Sequence, residues 1–259
     1  MTAIIAIQGK NPMKPLLKLI ALNKGKGYFK AEQSGDEATI YLYDAIVSDD
    51  YWGGVSPETF LKALNEIDAP VIHLRINSPG GDVFAARSIE QAIREHDSKI
   101  IAHIDGYAAS AASYVAVSCD EVVIADGGFF MIHKAWTIAW GNSDDLLSTA
   151  GLLEKIDGTL IKTYVKETGQ DAEAVEDWMK AETWFNADES VEYGFADSIA
   201  EDKVKNKSDW NLSAYSNAPT VNRIEDEPEE SSDDLGNPVY SKQFHDHLKR
   251  RAEVISLFN

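Results

Sequence analysis

The sequence has few of the features that mark disulfide-bonded, zinc-binding, membrane-spanning or nucleic-acid-binding proteins. It contains one cysteine, Cys119, which excludes an internal disulfide and every cysteine-rich zinc site. Basic residues are outnumbered: the chain has 24 Lys and Arg and 43 Asp and Glu, which gives a formal net charge of −19. A nucleic-acid or anionic-lipid surface needs clustered positive charge. No apolar run reaches the roughly 18–20 residues that a membrane span needs. We therefore expect no nucleic-acid partner, no membrane contact, no metal and no cofactor.

The remaining composition is that of an ordinary soluble protein. Of 259 residues, 44% are apolar and 26% are charged, which allows one large domain or two small ones. A single cysteine favours a reducing compartment. Pro12, Lys14 and Pro15 interrupt the stretch where the apolar core of a signal peptide would lie. We expect a cytoplasmic protein, or one that acts inside an assembly made in the cytoplasm.

Short strands and helices alternate along the first half of the chain. Residues 16–47 alternate like strands and contain a hairpin, with its turn at Gln33–Glu37. Ser56 and Pro57 predict a helix start, as cap and first helical residue. Further strands are predicted at 71–76, 99–104, 121–125 and 129–132, and helices at 83–94 and 108–118. This alternation predicts an α/β fold with parallel crossovers.

The second half contains a long helix and then a change in composition. Apolar residues recur at helical spacing from about 143 to 167, and shorter helices are predicted at 172–179 and 187–193. The globular domain should therefore cover residues 1–202. Residues 203–240 are poor in bulky apolar groups, and 225–234 hold seven acids and no base, which predicts a flexible linker. Residues 241–259 could form one amphipathic helix.

Three short motifs could carry chemistry. Ser78-Pro79-Gly80-Gly81 follows a predicted strand, and its glycines let the backbone approach a ligand closely. Ser110 lies among small residues at a predicted strand-to-helix turn, where hydrolases place a nucleophile. His133 ends an apolar strand and could serve Ser110 as a general base. Each motif alone also has a structural explanation. The Gly-Gly segment could be a tight turn, the residues around Ser110 a closely packed helix of small residues, and His133 a core histidine.

A third catalytic residue would be a carboxylate that orients the imidazole. Spacing alone does not choose among Glu182, Asp105, Asp120, Asp126 and Asp188. His245-Asp246-His247 is not a convincing metal site, because alternate residues on a helix point apart.

Taken together and in order, the motifs resemble the Clp protease proteolytic subunit family, the ClpP-like serine peptidases. The resemblance lies in Asn77–Gly81, Gly106–Ser110 and Met131–His133, and it continues through Thr168–Gln170 and Ala187–Asp197. It covers about residues 40–200. The acidic C-terminal extension and the divergent N-terminal hairpin are more similar to the ClpP-like head maturation proteases of tailed phages and prophages than to the housekeeping subunit.

The resemblance implies a fold of stacked ββα units, shared with the crotonases, with the helix at 143–167 as a protruding handle. It implies Ser110 as nucleophile, His133 as base and the amides of Gly81 and Ala111 as oxyanion hole. Glu182 falls where the family usually has Asp. It also implies a homo-oligomeric ring that cleaves proteins, here capsid or scaffold proteins in the host cytoplasm or the prohead. The housekeeping family uses an ATPase partner, which a protease enclosed in a prohead would not need.

Three other interpretations stay open at this point. A crotonase-type acyl-CoA enzyme also builds an oxyanion hole from a Gly-Gly turn, but does not need Ser110 with His133. An inactive homologue could act as an assembly scaffold. A Ser-Lys peptidase would use Lys134, although neighbouring strand residues face opposite ways.

Overall fold

The computed structural model describes residues 19, 21–201 and 210–219. Their eight strands are β1 Tyr28–Ser34, β2 Glu37–Tyr43, β3 Val71–Ser78, β4 Lys99–Ala109, β5 Glu121–Ile124, β6 Phe129–Ile132, β7 Thr183–Phe185 and β8 Ser198–Ile199. The α-helices are α1 Pro57–Asn65, α2 Val83–Glu95, α3 Ala111–Ala116, α4 Ser143–Thr168, α5 Ala172–Ala181 and α6 Ala187–Glu192. A 3-10 turn, Asp50–Trp52, precedes α1. None of the helices in these ranges is long and apolar enough to cross a membrane.

The strands form one mixed sheet in the order β1-β2-β3-β4-β5-β8. The hairpin β1–β2 is antiparallel, and each following pair along this path is parallel. Parallel neighbours need crossover connections, and helices α1 and α2 supply them between β2, β3 and β4. This arrangement confirms the predicted α/β fold with parallel crossovers.

The sheet branches at strand β4, which is longer than its neighbours. Its first half pairs with β5 through Ile101–Ile104, and its last residues, Tyr107–Ala109, pair with β6. Strand β6 then pairs antiparallel with β7. Ser110 follows β4 and His133 follows β6, and the carboxyl ends of parallel strands meet at one edge. The branch therefore brings the two predicted residues together.

The main core lies between the sheet and the helices. Helix α1 begins where the sequence predicts, because the Ser56 side chain accepts the Thr59 N–H and Pro57 needs no donor there. Helix α2 is capped by Asp82, and α4 by a capping box of Asn142 and Asp145. Buried leucine, isoleucine and phenylalanine side chains from these elements form one continuous cluster.

Two local predictions are wrong. The run 16–22 was expected to be extended, but its described residues, 19, 21 and 22, are helical, and Leu19 is buried. Its apolar spacing fits a helix as well as a strand, which short apolar runs often do. The helix expected over 108–118 begins only at Ala111, because Ala108 and Ala109 still belong to β4.

Residues 210–219 also differ from the linker predicted over 203–240. Leu212 and Tyr215 are buried in a second apolar cluster with Leu19, Tyr107 and Met131. The apolar content averaged over 203–240 is low, so the averaged composition did not reveal these few buried side chains. The other residues of the predicted linker, and the helix predicted over 241–259, lie outside the described residues.

Candidate active site

Ser110 occupies a strained junction between a strand and a helix. Its backbone has φ 54° and ψ −122°, and its N–H donates to Met131 O at 2.9 Å. Within the described ranges, Ser110 and Glu182 are the two non-glycine residues with positive φ. Such conformations cost about 1–3 kcal/mol each and cluster at functional sites. The turn aims the Ser110 side chain away from the strand and toward His133.

The Gly-Gly turn after β3 lies directly beside Ser110. Strand β3 pairs with β4 so that Ser78 is opposite Ala108, which places Gly80 against the start of α3. Gly80 has φ +87°, and a Cβ there would lie 2.4 Å from Ala109 O and 2.8 Å from Ser110 Cβ. At Gly81, with φ +152°, a Cβ would lie 1.8 Å from Ile46 O. Only glycine fits either position.

The predicted oxyanion amides lie on these two adjoining segments. Ile46 N–H donates to Gly80 O at 2.9 Å, which fixes the peptide plane that carries the Gly81 N–H. Among the described residues, neither the Gly81 nor the Ala111 N–H has a hydrogen-bond acceptor. A Cβ on Gly80 would lie 3.0 Å from Ala111 N, so the segments touch. Fixed donors without an internal acceptor are what an oxyanion hole requires.

His133 is hydrogen-bonded to Ser110, with 2.7 Å between His133 Nε2 and Ser110 Oγ. Burial lowers the pKa of His133 to about 4, and the negative charge of Glu182 opposes that shift. The imidazole is therefore neutral at pH 7 and able to take a proton. A serine hydroxyl bonded to a neutral imidazole is the arrangement of an activated nucleophile.

Glu182 lies opposite His133 because of the register between β6 and β7. Ile132 pairs with Thr183 in an antiparallel ladder, so the next positions on the two chains are His133 and Glu182. Glu182 ends α5 in the left-handed conformation, φ 51°. Its carboxylate affects the His133 pKa, but the described residues show no hydrogen bond between the two side chains. Instead, Glu182 Oε1 accepts the Asn217 N–H at 2.6 Å.

Two of the alternative acids have other partners. Asp105 is bonded to Arg75 and to Tyr43 Oη, and burial raises its pKa while these partners lower it. Asp120 Oδ2 accepts the Ile100 N–H at 2.7 Å. No bond to His133 is seen for Asp126 or Asp188 within the described part of the chain. Glu182 therefore stays the candidate that the geometry favours.

Two other side chains near the site have structural partners. Lys134 Nζ lies 3.6 Å from Asp157 Oδ2, so the alternative base pairs with an acid instead of with Ser110. Ser113 is fully buried one helical turn after Ser110, where its hydroxyl donates to Ser110 O and contacts Tyr164 Oη at 2.8 Å. Ser113 thus supports the turn from behind.

A cavity of about 210 Å³ opens beside Ser110 and His133. Helix α4 lines it with Leu153, Ile156 and Leu160. Tyr114 and Tyr164 also face it, and their rings meet edge to face. These walls fit an apolar side chain.

Two further residues at this cavity, Leu19 and Tyr215, were not predicted from the sequence. Tyr215 Oη donates to Pro79 O at 2.5 Å, and its ring lies edge-on to His133, with centroids 5.5 Å apart. The aromatic residue stands in a polar segment, 136 residues from its hydrogen-bond partner. No local pattern announces such a contact.

Comparison with known proteins identifies the family. The Clp protease family model matches residues 31–203, two thirds of the chain. The chain belongs to the Clp protease family. The ATP-dependent Clp protease proteolytic subunit 2 of Treponema denticola is 32% identical over 134 residues, 51% of this chain and 67% of that protein. Subunit 1 of Protochlamydia amoebophila is 28% identical over 172 residues, 63% of this chain and 81% of that protein.

A solved Clp structure shares the fold. A ClpP1 mutant from Listeria monocytogenes superposes with a TM-score of 0.56 at 20% identity, over 64% of this chain and 92% of that one. The Clp family match makes the chain a member of a serine peptidase family. Residues 210–219 lie beyond the end of that match.

Proposed function

We propose that this Clp family member hydrolyses peptide bonds with Ser110 as nucleophile, His133 as general base and Glu182 as the acid that orients it. The observation that carries the proposal is the 2.7 Å hydrogen bond between Ser110 Oγ and His133 Nε2. It joins residues at the ends of two neighbouring parallel strands, beside a Gly-Gly turn that only glycine can form. An inactive scaffold would have no need of this arrangement.

The reaction follows from the positions of these groups. Ser110 Oγ attacks the substrate carbonyl carbon while His133 Nε2 takes the hydroxyl proton. The carbonyl oxygen becomes an oxyanion, which the Gly81 and Ala111 amides stabilise. His133 then gives its proton to the leaving amine, and the acyl group stays on Ser110. A water molecule, deprotonated by His133, releases the acid product and restores the serine.

Burial of His133 affects the two halves of this cycle differently. Burial lowers the His133 pKa, which keeps the imidazole ready to accept a proton but opposes the imidazolium that forms on transfer. A negative charge nearby compensates for the second effect. Glu182 supplies that charge, since it raises the His133 pKa against burial.

The adjoining cavity favours substrates with an apolar side chain beside the cleaved bond. Four of the six residues that helix α4 contributes to its walls are leucine or isoleucine, and an apolar side chain placed there is removed from water. An acidic side chain would be buried at considerable cost, because the charged residue of the lining, Asp82, is itself an acid. Peptides with Leu or Met at that position should therefore be cleaved in preference to peptides with Asp.

Labelling with a fluorophosphonate tests the chemistry. The wild type should be labelled on Ser110 and should cleave casein, and both activities should fall by several orders of magnitude in Ser110→Ala and His133→Ala. Ser118→Ala is the matched control, because it removes a buried serine hydroxyl that donates to Val115 O and does not line the cavity. Normal peptidase activity in Ser110→Ala would end the serine-peptidase proposal. A wild type that is neither labelled nor active would favour a scaffold, and acyl-CoA turnover without labelling would favour a crotonase-type enzyme.

We further propose that the protein forms a homo-oligomeric ring. Helix α4 exposes Leu146, Leu147 and Leu152 at 45%, 69% and 52%. Exposed leucines along one helix mark an interface, and a closed ring buries them in identical copies. Light scattering on the purified protein tests this, because a stable monomer would exclude the ring.

The proposed biological role is cleavage of capsid or scaffold proteins during head maturation of a phage or prophage, in the host cytoplasm or prohead. Support comes from the acidic extension beyond the family match, which resembles that class. Genes for portal and major capsid proteins beside this one would favour the role. Co-expression with those proteins tests it directly: their cleavage should require Ser110 and should proceed without an ATPase partner.

A further inference from the structure

A segment beyond the family match packs against the candidate active site. The match ends at residue 203, whereas residues 210–219, here called the C-terminal strap, lie against the sheet. Leu212 and Tyr215 are each 7% exposed. They pack on Ala109 and Met131, which belong to the strands that carry Ser110 and His133. The strap is therefore part of the wall behind the site.

The strap holds the turn that carries the Gly81 amide. Trp210 Nε1 donates to Asn77 O at 3.0 Å, and Tyr215 Oη donates to Pro79 O at 2.5 Å. Alternate carbonyls of an extended chain point to the same side, so one segment can bind both. Ile46 N–H fixes the next carbonyl, Gly80 O, at 2.9 Å. Three successive anchors thus fix the backbone up to Gly81, and the strap supplies two of them.

Tyr215 also restrains the base. Its ring lies between two others, 5.5 Å from His133 at 75° and 5.8 Å from Trp184 at 74°. Edge-to-face packing of this kind fixes ring orientation. Burial raises the pKa of Tyr215, while a hydrogen bond with the Ser110 side chain lowers it. The phenol stays protonated and can donate to Pro79 O.

Asn217 extends the contact to the third candidate residue. Its backbone N–H donates to Glu182 Oε1 at 2.6 Å, and its Nδ2 donates to Ala181 O at 2.7 Å. One carboxylate oxygen is thereby held by the strap, and the other has no hydrogen bond among the described residues. Backbone donors often hold an orienting carboxylate in this way, as they do for the ligands of metal sites.

We propose that the C-terminal strap is a working part of the active site, with Tyr215 and Asn217 as positioning residues for the oxyanion turn, His133 and Glu182. The inference rests on the proposed peptidase function. The bond between Ser110 and His133 is formed with the strap in place. The burial of Leu212 and Tyr215 argues for a permanent component, since departure of the strap would expose both.

Tyr215→Phe in the full-length protein tests the proposal. It keeps the ring in its cluster and removes the hydroxyl that donates to Pro79 O and bonds with the Ser110 side chain. The loss of one hydrogen bond changes equilibria by about 2- to 10-fold, so fluorophosphonate labelling and kcat should fall by at least that factor with KM unchanged. Tyr43→Phe is the matched control, because Tyr43 Oη donates to Asp105 Oδ2 at the same 2.5 Å, away from the cavity. Both variants should have a slightly lower melting temperature, but only Tyr215→Phe should have a lower kcat.

Asn217→Ala provides a second measurement that does not depend on the phenol. It keeps the backbone N–H that Glu182 Oε1 accepts but removes the Nδ2 donor to Ala181 O and Glu182 O, so the strap is held less firmly against Glu182. We expect kcat to fall and the acidic limb of the pH–rate profile to move to lower pH, since Glu182 would act on His133 more weakly. If Asn217 had only a structural role, the substitution would lower the melting temperature and leave the acidic limb of the pH–rate profile unchanged.

The outcomes separate the two proposals. A wild type that is not labelled at Ser110 overturns the peptidase function and the strap's role with it. A labelled wild type with Tyr215→Phe and Asn217→Ala unchanged in kcat and pH profile overturns the strap's role alone. Faster labelling in Tyr215→Phe would also overturn it, because the strap would then be an inhibitory cover.

Discussion

Replacing Gly80 with alanine should destabilise the protein and impair Ser110 together. The added Cβ would lie 2.4 Å from Ala109 O and 2.8 Å from Ser110 Cβ, both inside contact distance. Ala109 O is backbone at the end of a central strand, so it cannot move cheaply. Overpacking of this kind costs about 1–3 kcal/mol. Alanine at φ +87° adds about 1–2 kcal/mol of backbone strain.

The hairpin turn offers a control that separates these two contributions. Gly35 also has a positive φ, +64°, but nothing lies within 4 Å of a Cβ built there. Gly35→Ala should therefore cost only the strain, about 1–2 kcal/mol. The difference between the two variants in the free energy of unfolding, about 1–3 kcal/mol, measures the steric cost of the close approach between the Gly-Gly turn and Ser110.

Denaturant unfolding at one fixed protein concentration gives the two stabilities, since an oligomer's stability depends on concentration. Peptidase assays give the second readout. If Ser110 moves by about 1 Å to relieve the contact, activity can fall about 100-fold, whereas Gly35→Ala should stay as active as wild type. The reasoning fails if Gly80→Ala is as stable and as active as Gly35→Ala.

Three further outcomes are expected from the site and from helix α4. In the pH profile of kcat/KM, the loss of activity on acidification should be centred near pH 4 instead of near 6.5, because burial keeps His133 neutral until the pH falls through its lowered pKa. A loss centred near pH 6.5 would mean that His133 is exposed. Glu182→Gln should lower kcat and move the acidic limb of the pH profile to still lower pH, since the negative charge that raises the His133 pKa is lost. Glu182→Asp should retain part of the activity. Full activity in Glu182→Gln would mean that another residue is the acid. Leu147→Glu should reduce the particle size measured by light scattering, because this 69% exposed leucine belongs to the proposed interface, and an unchanged size would remove helix α4 from it.

The secondary structure could be predicted where its signals are local. The β1–β2 hairpin follows from alternation around a turn with Gly35, and helix α1 from the Ser56 cap and Pro57. Parallel strands were inferred from alternation with helices. Boundaries were less accurate, because β4 runs through small residues that fit a helix or a strand equally well. Tertiary pairing with β6 decides their conformation.

The candidate site was only partly predictable. Ser110, His133 and the Gly-Gly turn were found from ordered motifs, since strand ends and glycines leave traces in sequence. The positive φ of Ser110 leaves no such trace, because nothing about serine favours that conformation. The strap was missed for a related reason: Trp210 and Tyr215 bind carbonyls 133 and 136 residues away. Composition averaged over an acidic stretch cannot reveal two or three long-range anchors.

The two strained residues of the described chain are tied on both sides, which explains how their conformations persist. Ser110 donates its N–H to Met131 O, and its carbonyl accepts the Ser113 N–H at 2.9 Å, so the strand and the helix both hold it. Glu182 ends α5, directly before β7, and its carboxylate is bonded to the strap. Each position costs about 1–3 kcal/mol that neighbouring contacts must offset. At Glu182 some of those contacts come from beyond the family match, so this chain stabilises its candidate acid partly with residues outside the matched domain.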